Sequence, residues 1–299
     1  MKKFLFAILP GLLLLSCNSP KPAGSQTETS IEPTYSLSEL WRTDTVMLTC
    51  ESVLYDEQRD VLYVSCINGA PTEKNGKGYI AMLNPNGEIK SLEWVSGLDA
   101  PKGMGIFGKN LYVSDIDRLV VIDIEKGEVR ETIPVEGAVF LNDIAIDTDG
   151  TVYFSDSNSG WIWTLKEGAT TPWLKEGLNR PNGLLVEKER VLLTSTGSSD
   201  MKLINKVTGE FETVTTEIGH GDGVEFTGKE GHYIVSDWSG EVFLVLPDYS
   251  RVSLLKTSDQ KINSADIGFN KKKQVVYVPT FFDNRVLAYQ LKISEKSAE

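Results

Sequence analysis

The feature that most constrains this chain is a segment that recurs every ~40 residues between residues 51 and 291. Each copy opens with a short apolar strand, passes a tight turn and enters a second apolar strand. The second strands end in related tetrapeptides: Tyr-Val-Ser-Asp at 112–115, Tyr-Phe-Ser-Asp at 153–156 and Ile-Val-Ser-Asp at 234–237. Repeats of this length indicate stacked units, because one unit cannot cover its own apolar faces.

The strand pattern predicts an all-β fold. Short strands separated by turn residues, with no long stretch of helical periodicity, exclude an α/β architecture. Six repeats of four strands predict a six-bladed β-propeller with four antiparallel strands per blade, over residues 34–292 and followed by a tail at 293–299. The last repeat ends near Leu291 after its third strand, whereas a spare segment, Leu37 to Thr43, precedes the first repeat. We expect this N-terminal strand to close the ring.

The N-terminus predicts export and a lipid anchor. Two lysines precede the apolar run Phe4 to Leu15, which is too short to span a bilayer comfortably. The run ends Leu-Leu-Ser-Cys17, which resembles the bacterial lipobox, in which the cysteine carries the lipid. We expect a lipoprotein signal peptide at 1–16, lipidation at Cys17 and a flexible tether over 17–33. The expected location is a bacterial membrane, facing the periplasm or the cell surface, with the lipid as the only membrane contact; a plain signal peptide is the alternative.

Charge and motifs exclude several classes of partner. The net charge of −12, without a basic stripe interleaved with aromatics, argues against nucleic acid. No phosphate-binding glycine loop precedes a helix, so nucleotides are not expected. No serine lies in an elbow motif near either histidine, which argues against a serine hydrolase. His232 lies in a strand-like stretch and is interpreted as structural; His220 is either a proton carrier or a solvent-exposed residue.

Two cysteines, Cys50 and Cys66, flank a strand, a turn and a second strand. They can face each other across this hairpin, and an oxidising compartment permits a disulfide. A disulfide requires Cα atoms within about 7 Å, and the length of the turn decides the register. The sequence therefore leaves both the bridge and the free thiols open.

Polar residues recur at the start of the first strand, which is the innermost strand of a propeller blade. Two columns run down the repeats: Glu51, Lys102, Asn142, Asn182, Asp222 and Ala265, then Ser52, Gly103, Asp143, Gly183, Gly223 and Asp266. Carboxylates and amides that converge on a channel are costly unless they are paired or bind something. Their oxygens suit calcium, magnesium or an open zinc site. Asn-Gly and Asp-Gly pairs also form turns, so each pair taken alone indicates no more than a turn.

The column motifs resemble those of a known family. Glu51-Ser, Asn142-Asp, Pro-Asn182-Gly and Asp222-Gly are similar to the senescence-marker-protein/gluconolactonase (regucalcin-like) family, over about residues 50 to 291. Its members are metal-dependent lactone hydrolases on six-bladed propellers. The resemblance implies that Glu51, Asn182 and Asp222 ligate one divalent cation, calcium by expectation, with zinc or magnesium as alternatives. It also implies that Asn142 lies beside the cation as a substrate or outer ligand.

The resemblance implies roles for further residues. Asp222 is the candidate general base, whereas Glu51 is chiefly a ligand. The family places an arginine where this chain has Phe140, which puts gluconolactone itself in doubt. Lys102 either orients a substrate oxygen or pairs with a carboxylate and replaces the charge of the metal. Asp143 and Asp266 are either outer partners or turn caps.

The loops between second and third strands open on the same face as the columns. The longest, from Cys66 to Gly78, is a candidate lid. Trp238 and the pair Phe281-Phe282 occupy equivalent loops, where they either line an apolar pocket mouth in contact with substrate or pack between blades. The sequence thus favours a metal-dependent hydrolase of a small lactone or ester at the cell envelope. The alternatives are a non-catalytic, lipid-anchored propeller that binds a glycan or protein, and a structural calcium without chemistry.

Overall fold

The computed structural model describes residues 33–294 and confirms the six-bladed β-propeller, with six four-stranded antiparallel sheets. Blades 1 to 3 contain β2 (Cys50–Asp56), β3 (Val61–Cys66), β4 (Gly78–Leu83), β5 (Ile89–Leu98); β6 (Pro101–Phe107), β7 (Asn110–Asp115), β8 (Arg118–Asp123), β9 (Glu128–Pro134); β10 (Leu141–Ile146), β11 (Val152–Asp156), β12 (Trp161–Lys166) and β13 (Ala169–Leu174). Blades 4 to 6 contain β14 (Pro181–Val186), β15 (Arg190–Ser195), β16 (Asp200–Asn205), β17 (Phe211–Thr216); β18 (Gly221–Phe226), β19 (Tyr233–Asp237), β20 (Glu241–Val245), β21 (Arg251–Lys256); β22 (Gly268–Asn270), β23 (Val275–Pro279), β24 (Val286–Ser294) and β1 (Thr34–Arg42).

The predictions for the signal peptide, Cys17 and nearly all of the tether lie outside the described residues, as do residues 295–299 of the predicted tail. Within residues 33–294, the model contains no helix with the length and apolar character needed to cross a bilayer.

The ring closes through the N-terminal strand, as predicted. β1 pairs antiparallel with β24, with Leu37 opposite Leu291 and Trp41 opposite Ala288. Thr43 extends this contact, because its amide donates to Val286 O at 3.0 Å. Blade 6 therefore combines strands from both ends of the described chain, so that ladder hydrogen bonds hold the ring shut.

The blades pack through alternate faces of their strands. In β3, Leu62 and Val64 contact the apolar cluster shared with blade 6, whereas Tyr63 belongs to the cluster shared with blade 2. Successive side chains of a strand point to opposite faces, so a sheet covered on both sides requires a continuous apolar run. This explains why the second strands read Val-Leu-Tyr-Val rather than alternating with polar residues.

A β-bulge in the inner strand of each of blades 1 to 5 lies at the two predicted columns. In blade 3, Leu141 pairs with Asp156 and Ile144 with Phe154, so one extra residue is accommodated on the inner strand. A bulge interrupts the ladder and redirects side chains. The amide of Asp143 that the bulge frees donates instead to the hydroxyl of a β11 serine, 3.0 Å away.

The repeated Ser-Asp dipeptide has a structural role that the sequence analysis did not assign. Its serine accepts the bulge amide in blades 3 and 5, through Ser155 and Ser236, and Ser65, which precedes Cys66, does the same in blade 1. Its aspartate accepts amides of the loop that precedes the inner strand: Asp156 accepts from Phe140 N at 3.0 Å, and Asp237 from His220 N at 2.9 Å. The dipeptide therefore fixes both the columns and the loops beside them.

The two cysteines lie opposite each other in β2 and β3, and both are free thiols. Cys50 Sγ donates to Arg285 O at 3.1 Å and is thus directed towards blade 6. Burial raises the pKa of Cys50 to about 12 and that of Cys66 well above its usual value, so both remain protonated at neutral pH. Of the two states that the sequence left open, the structure has the unbridged one.

Candidate functional site

A cavity of about 670 Å³ opens at the end of the ring where the inner strands begin. Its lining includes every residue that the sequence assigned to metal or substrate: Glu51, Lys102, Phe140, Asn142, Asn182, Asp222 and Trp238. These residues come from five blades and span most of the described chain. A volume of this size is typical of a small-molecule site.

Three oxygen atoms in this cavity have no hydrogen-bond partner. Glu51 Oε2, Asn182 Oδ1 and Asp222 Oδ1 are buried and unpartnered, and within residues 33–294 no other buried carboxylate or amide oxygen shares this condition. An unsatisfied buried acceptor costs about 1–3 kcal/mol, so three at one site indicate a position prepared for a donor or a cation.

Burial and neighbouring charges shift the pKa values of the two carboxylates in this cavity. Burial, followed by the charge of Asp222, raises the pKa of Glu51 well above its usual value, and Lys102 partly opposes this. Burial and the charge of Asp266 raise the pKa of Asp222 likewise, whereas a hydrogen bond from Asn182 lowers it. Two like charges with raised pKa values in one buried site favour either protons or a cation.

The amides beside these carboxylates are held in one orientation. Asn182 Nδ2 donates to Thr196 Oγ1 at 3.2 Å, and that hydroxyl donates to Gly221 O at 3.1 Å. One blade earlier, Asn142 Nδ2 donates to Ser157 Oγ at 3.1 Å, and Ser157 donates to Pro181 O at 2.7 Å. Because each NH₂ group is engaged by a hydroxyl, each amide oxygen is turned away from that hydroxyl.

The sequence analysis missed Thr196 and Ser157. Each directly follows the last residue of a second strand, β15 or β11, and each connects the start of one inner strand to the start of the next. Extending the repeat columns by one position past the Ser-Asp dipeptide provides the signal that finds them.

Two column glycines leave no room for a side chain, because the neighbouring inner strand lies close to each of them. A Cβ atom at Gly183 would lie 1.8 Å from Asp222 O, and one at Gly223 would lie 2.4 Å from Asp266 Oδ1. The two glycines are therefore required by close approach of the strands, as the repeat geometry alone suggested, and not by ligand contact.

Lys102 is buried but does not pair with the carboxylates. Its Nζ donates to Ala100 O at 2.9 Å and lies 4.5 Å from the centroid of the Phe140 ring. No ion pair joins it to a described residue, so the expected alternative in which Lys102 pairs with Glu51 or Asp222 is not the arrangement found. Burial lowers the pKa of Lys102 to about 8, against the attraction of Glu51. Phe140 thus provides an aromatic face for the ammonium.

Aromatic residues line one side of the cavity. Trp238, Phe281 and Phe282 pack edge to face, with ring centroids 5.4 Å, 6.0 Å and 4.8 Å apart. Ile67 and Pro71, from the loop after β3, extend this side. We call these five residues the apolar wall. The candidate lid loop therefore contributes residues to the cavity.

Two exposed polar residues, His220 and Arg180, also line the cavity. His220 Nδ1 is 2.7 Å from Ser239 Oγ, and its side chain is 59% exposed. Arg180, which the sequence analysis did not single out, is exposed, and its guanidinium has no hydrogen bond or ion pair with a described residue. His232, by contrast, is buried elsewhere, with Nδ1 2.8 Å from Glu230 O.

A second layer of carboxylates lies beneath the first. Asp143 accepts from the amides of Ile144 and Leu184, both at 2.6 Å, and Asp266 accepts from Ser52 Oγ at 2.5 Å. Within residues 33–294 no cluster of three or more His, Cys, Asp and Glu side chains has the arrangement of a metal site. The set implied by the resemblance is of another kind, with two carboxylates and one amide.

Comparisons with known proteins show the fold. Neither a scan of protein-family models nor a search of curated proteins finds a match. Among solved structures, a gluconolactonase from Xanthomonas campestris is similar at 15% identity and a TM-score of 0.66, covering 86% of this chain and 89% of that chain. A virginiamycin B lyase from Staphylococcus aureus, solved with quinupristin, is similar at 12% identity and a TM-score of 0.59, covering 87% and 99%.

A chain of a nidogen/laminin complex is also similar, at 16% identity and a TM-score of 0.62, covering 74% of this chain and 85% of that chain. At such identities the likeness establishes the fold, and activity must be argued from the site. The gluconolactonase-like family suspected from the column motifs fits the gluconolactonase neighbour and the six-bladed arrangement of this chain.

Proposed function

We propose that this protein is a metal-dependent hydrolase of a small lactone or ester. The observation that carries the proposal is the convergence of three buried, unpartnered oxygens, from Glu51, Asn182 and Asp222, on one cavity. The likeness to a gluconolactonase supports the same class of substrate. Carboxylate and amide oxygens are hard donors, so the residues present fit calcium, with magnesium or an open zinc site as alternatives.

In this proposal Glu51, Asn182 and Asp222 hold the cation, which when bound supplies Lewis-acid polarisation of the substrate carbonyl. Asp222, whose pKa is raised by burial and by Asp266, takes the proton of the attacking water as general base. Asn142, held by its bond to a neighbouring serine, presents its amide oxygen to a substrate hydroxyl or to that water. Lys102 provides a positive charge beside Glu51 for a substrate oxygen.

A non-catalytic binding propeller is the second candidate, and the likeness to a chain of a nidogen/laminin complex is the observation that favours it. A binding propeller would present its loops to a glycan or a protein. It has no need of unpartnered oxygens at the base of a cavity, which is why we rank it second.

One experiment separates these candidates. The chain from residue 33 onward, which contains the closed ring, is dialysed against calcium, magnesium or zinc, and its bound metal and its hydrolysis of a lactone panel are measured. We expect metal-dependent turnover that Asp222→Ala abolishes and that the matched variant Asp266→Asn retains. Metal-free protein without turnover on any lactone or ester would favour the binding module, and bound metal without turnover would indicate a structural ion.

We further propose that the protein acts at the cell envelope, anchored through Cys17. In this proposal the lipobox-like run ending at Cys17 directs export, and the following tether holds the propeller away from the membrane. Cell fractionation of wild type and Cys17→Ser tests the anchor. We expect the wild type in the membrane fraction and the variant in the soluble fraction; an unchanged distribution would contradict the proposal.

A further inference from the structure

We propose that the preferred substrate carries an apolar acyl or aryl substituent, which lies against the apolar wall, and that Phe282 helps to select it. This inference rests on the proposed function and specifies its substrate class. It starts from the separation of two surfaces within the cavity: polar groups at the base and apolar residues along one side.

The hydroxyl groups at the base of the cavity already have hydrogen-bond partners within the protein. The hydroxyls that line it, Ser157 and Thr196, donate to backbone carbonyls, and they accept the amide hydrogens of Asn142 and Asn182. The unpartnered oxygens are the three that the proposed cation requires. The groups that remain for a substrate are Lys102 and the Asn142 amide oxygen, which the proposed catalysis uses, and the exposed side chains of Arg180 and His220.

The apolar wall offers almost no hydrogen-bond partners for substrate hydroxyls. Among its five residues, only Trp238 carries a hydrogen-bonding side-chain group, the indole N–H; the others are Ile67, Pro71, Phe281 and Phe282. Hydroxyls of a sugar lactone placed against this wall would lose their water without gaining partners. An alkyl or aryl group placed there loses nothing by leaving water.

Phe282 is the clearest sign that this wall receives a ligand. It is 66% exposed, although it packs against Trp238 and Phe281, and it lines the cavity. Phe281, its neighbour in the chain, is only 5% exposed. An exposed aromatic ring that continues a buried aromatic cluster into a cavity offers a surface that an apolar substituent would cover.

The test compares two lactones with the same six-membered ring, δ-gluconolactone and δ-dodecalactone, under the metal conditions found active. We expect kcat/KM to favour the alkyl lactone by at least about tenfold, since a few buried methylenes account for such a ratio. Phe282→Ala should reduce this preference by about tenfold, and Phe282→Leu should retain most of it. Phe211→Ala, which removes an exposed phenylalanine from β17, is the control and should leave the ratio unchanged.

A binding measurement separates this inference from the proposed function. A long-chain alkyl lactam, which resists hydrolysis, is titrated against wild type, Phe282→Ala and Trp238→Phe with tryptophan fluorescence as the readout. Lactam binding that depends on Phe282, without hydrolysis of any lactone, would refute the hydrolase and support the apolar subsite. Equal or faster turnover of gluconolactone, a ratio unaffected by Phe282→Ala, or no lactam binding in a protein that hydrolyses neither lactone would overturn the inference.

Discussion

Asp222 and Asp143 both lie in the central channel, one in each layer of carboxylates, and they are 2% and 6% exposed. Their hydrogen bonds separate them. Asp143 accepts backbone amides on both oxygens, whereas Asp222 Oδ1 accepts none. Burial is therefore a poor guide to which acidic residue binds a ligand. The hydrogen bonds that a carboxylate already accepts are a better guide. A carboxylate whose two oxygens each accept a backbone amide holds the backbone in place and has less capacity left for a ligand.

The pKa shifts do not make this distinction. Burial raises the pKa of Asp143 well above its usual value, as it does for Asp222, and the charge of Asp266 adds to both. The backbone amides of Leu184 and Ile144 counteract the shift at Asp143 only in part. A search for perturbed carboxylates alone would have selected both layers.

The largest expected effect is on cation binding. Glu51→Gln keeps the shape of the side chain but removes its charge, so we expect the affinity for the activating divalent cation to fall by at least about 100-fold. Loss of an outer partner alone typically costs 10- to 100-fold. Isothermal titration with calcium measures this. Asp143→Asn, in the second layer, is the matched control, and an equal loss there would remove the distinction between the layers.

For stability we expect the opposite order: substitution in the second layer should cost more than substitution in the first. Asp143→Ala leaves the amides of Ile144 and Leu184 without acceptors, so we expect the free energy of unfolding to fall by about 2 kcal/mol or more. Asp222→Ala, measured without divalent cations, removes a buried carboxylate with an unsatisfied oxygen and should leave stability unchanged or increased. Denaturant unfolding in EDTA compares the two. A larger loss for Asp222→Ala would contradict the assignment.

The sequence predicted the fold and the columns because a propeller repeats its geometry. Six copies of one strand pattern are enough to find the blades, and the spare segment before Cys50 is enough to predict how the ring closes. The resemblance then indicated Glu51, Asn182 and Asp222, which the structure brings to one cavity.

Hydrogen-bond partners were harder to predict, because they depend on register and on contacts between blades. The bulge at Asn142-Asp143 cannot be read from strand periodicity, and without it the role of Ser155 is hidden. The sequence also did not predict the surroundings of Lys102. Its contact with the Phe140 ring joins residues from different blades, and no local sequence pattern connects them.

The hydroxyl of Thr196 distinguishes the roles of Asn182 and Asn142 within the first layer. Thr196→Val keeps the size of the side chain and removes the hydroxyl that accepts from Asn182 Nδ2, so the amide of Asn182 loses one of the contacts that orient it. We expect a loss of about tenfold in cation affinity, as for other groups that orient a ligand. Ser157→Ala frees Asn142 in the same way and should lower kcat/KM while leaving cation affinity nearly unchanged. Equal effects on affinity would place Asn142 among the ligands.

The smallest expected effect is a pH dependence that the second layer contributes to the cation-free protein. Burial raises the pKa of Asp266 from 3.8 to about 7, so the folded state binds this proton more tightly than the unfolded state. Stability from this group is present in full below pH 3.8 and is lost as the pH rises towards about 7. If one full proton is released on unfolding, the free energy of unfolding falls by about 1.36 kcal/mol per pH unit. Sharing of the proton with neighbouring carboxylates makes this fall smaller. Asp266→Asn should flatten the fall in thermal midpoint between pH 5 and 7 in EDTA. If the thermal midpoint of the wild type rises over this interval, Asp266 is ionised in the folded state. The hydrogen bond from Ser52, which lowers the pKa of Asp266, would then outweigh burial, which raises it.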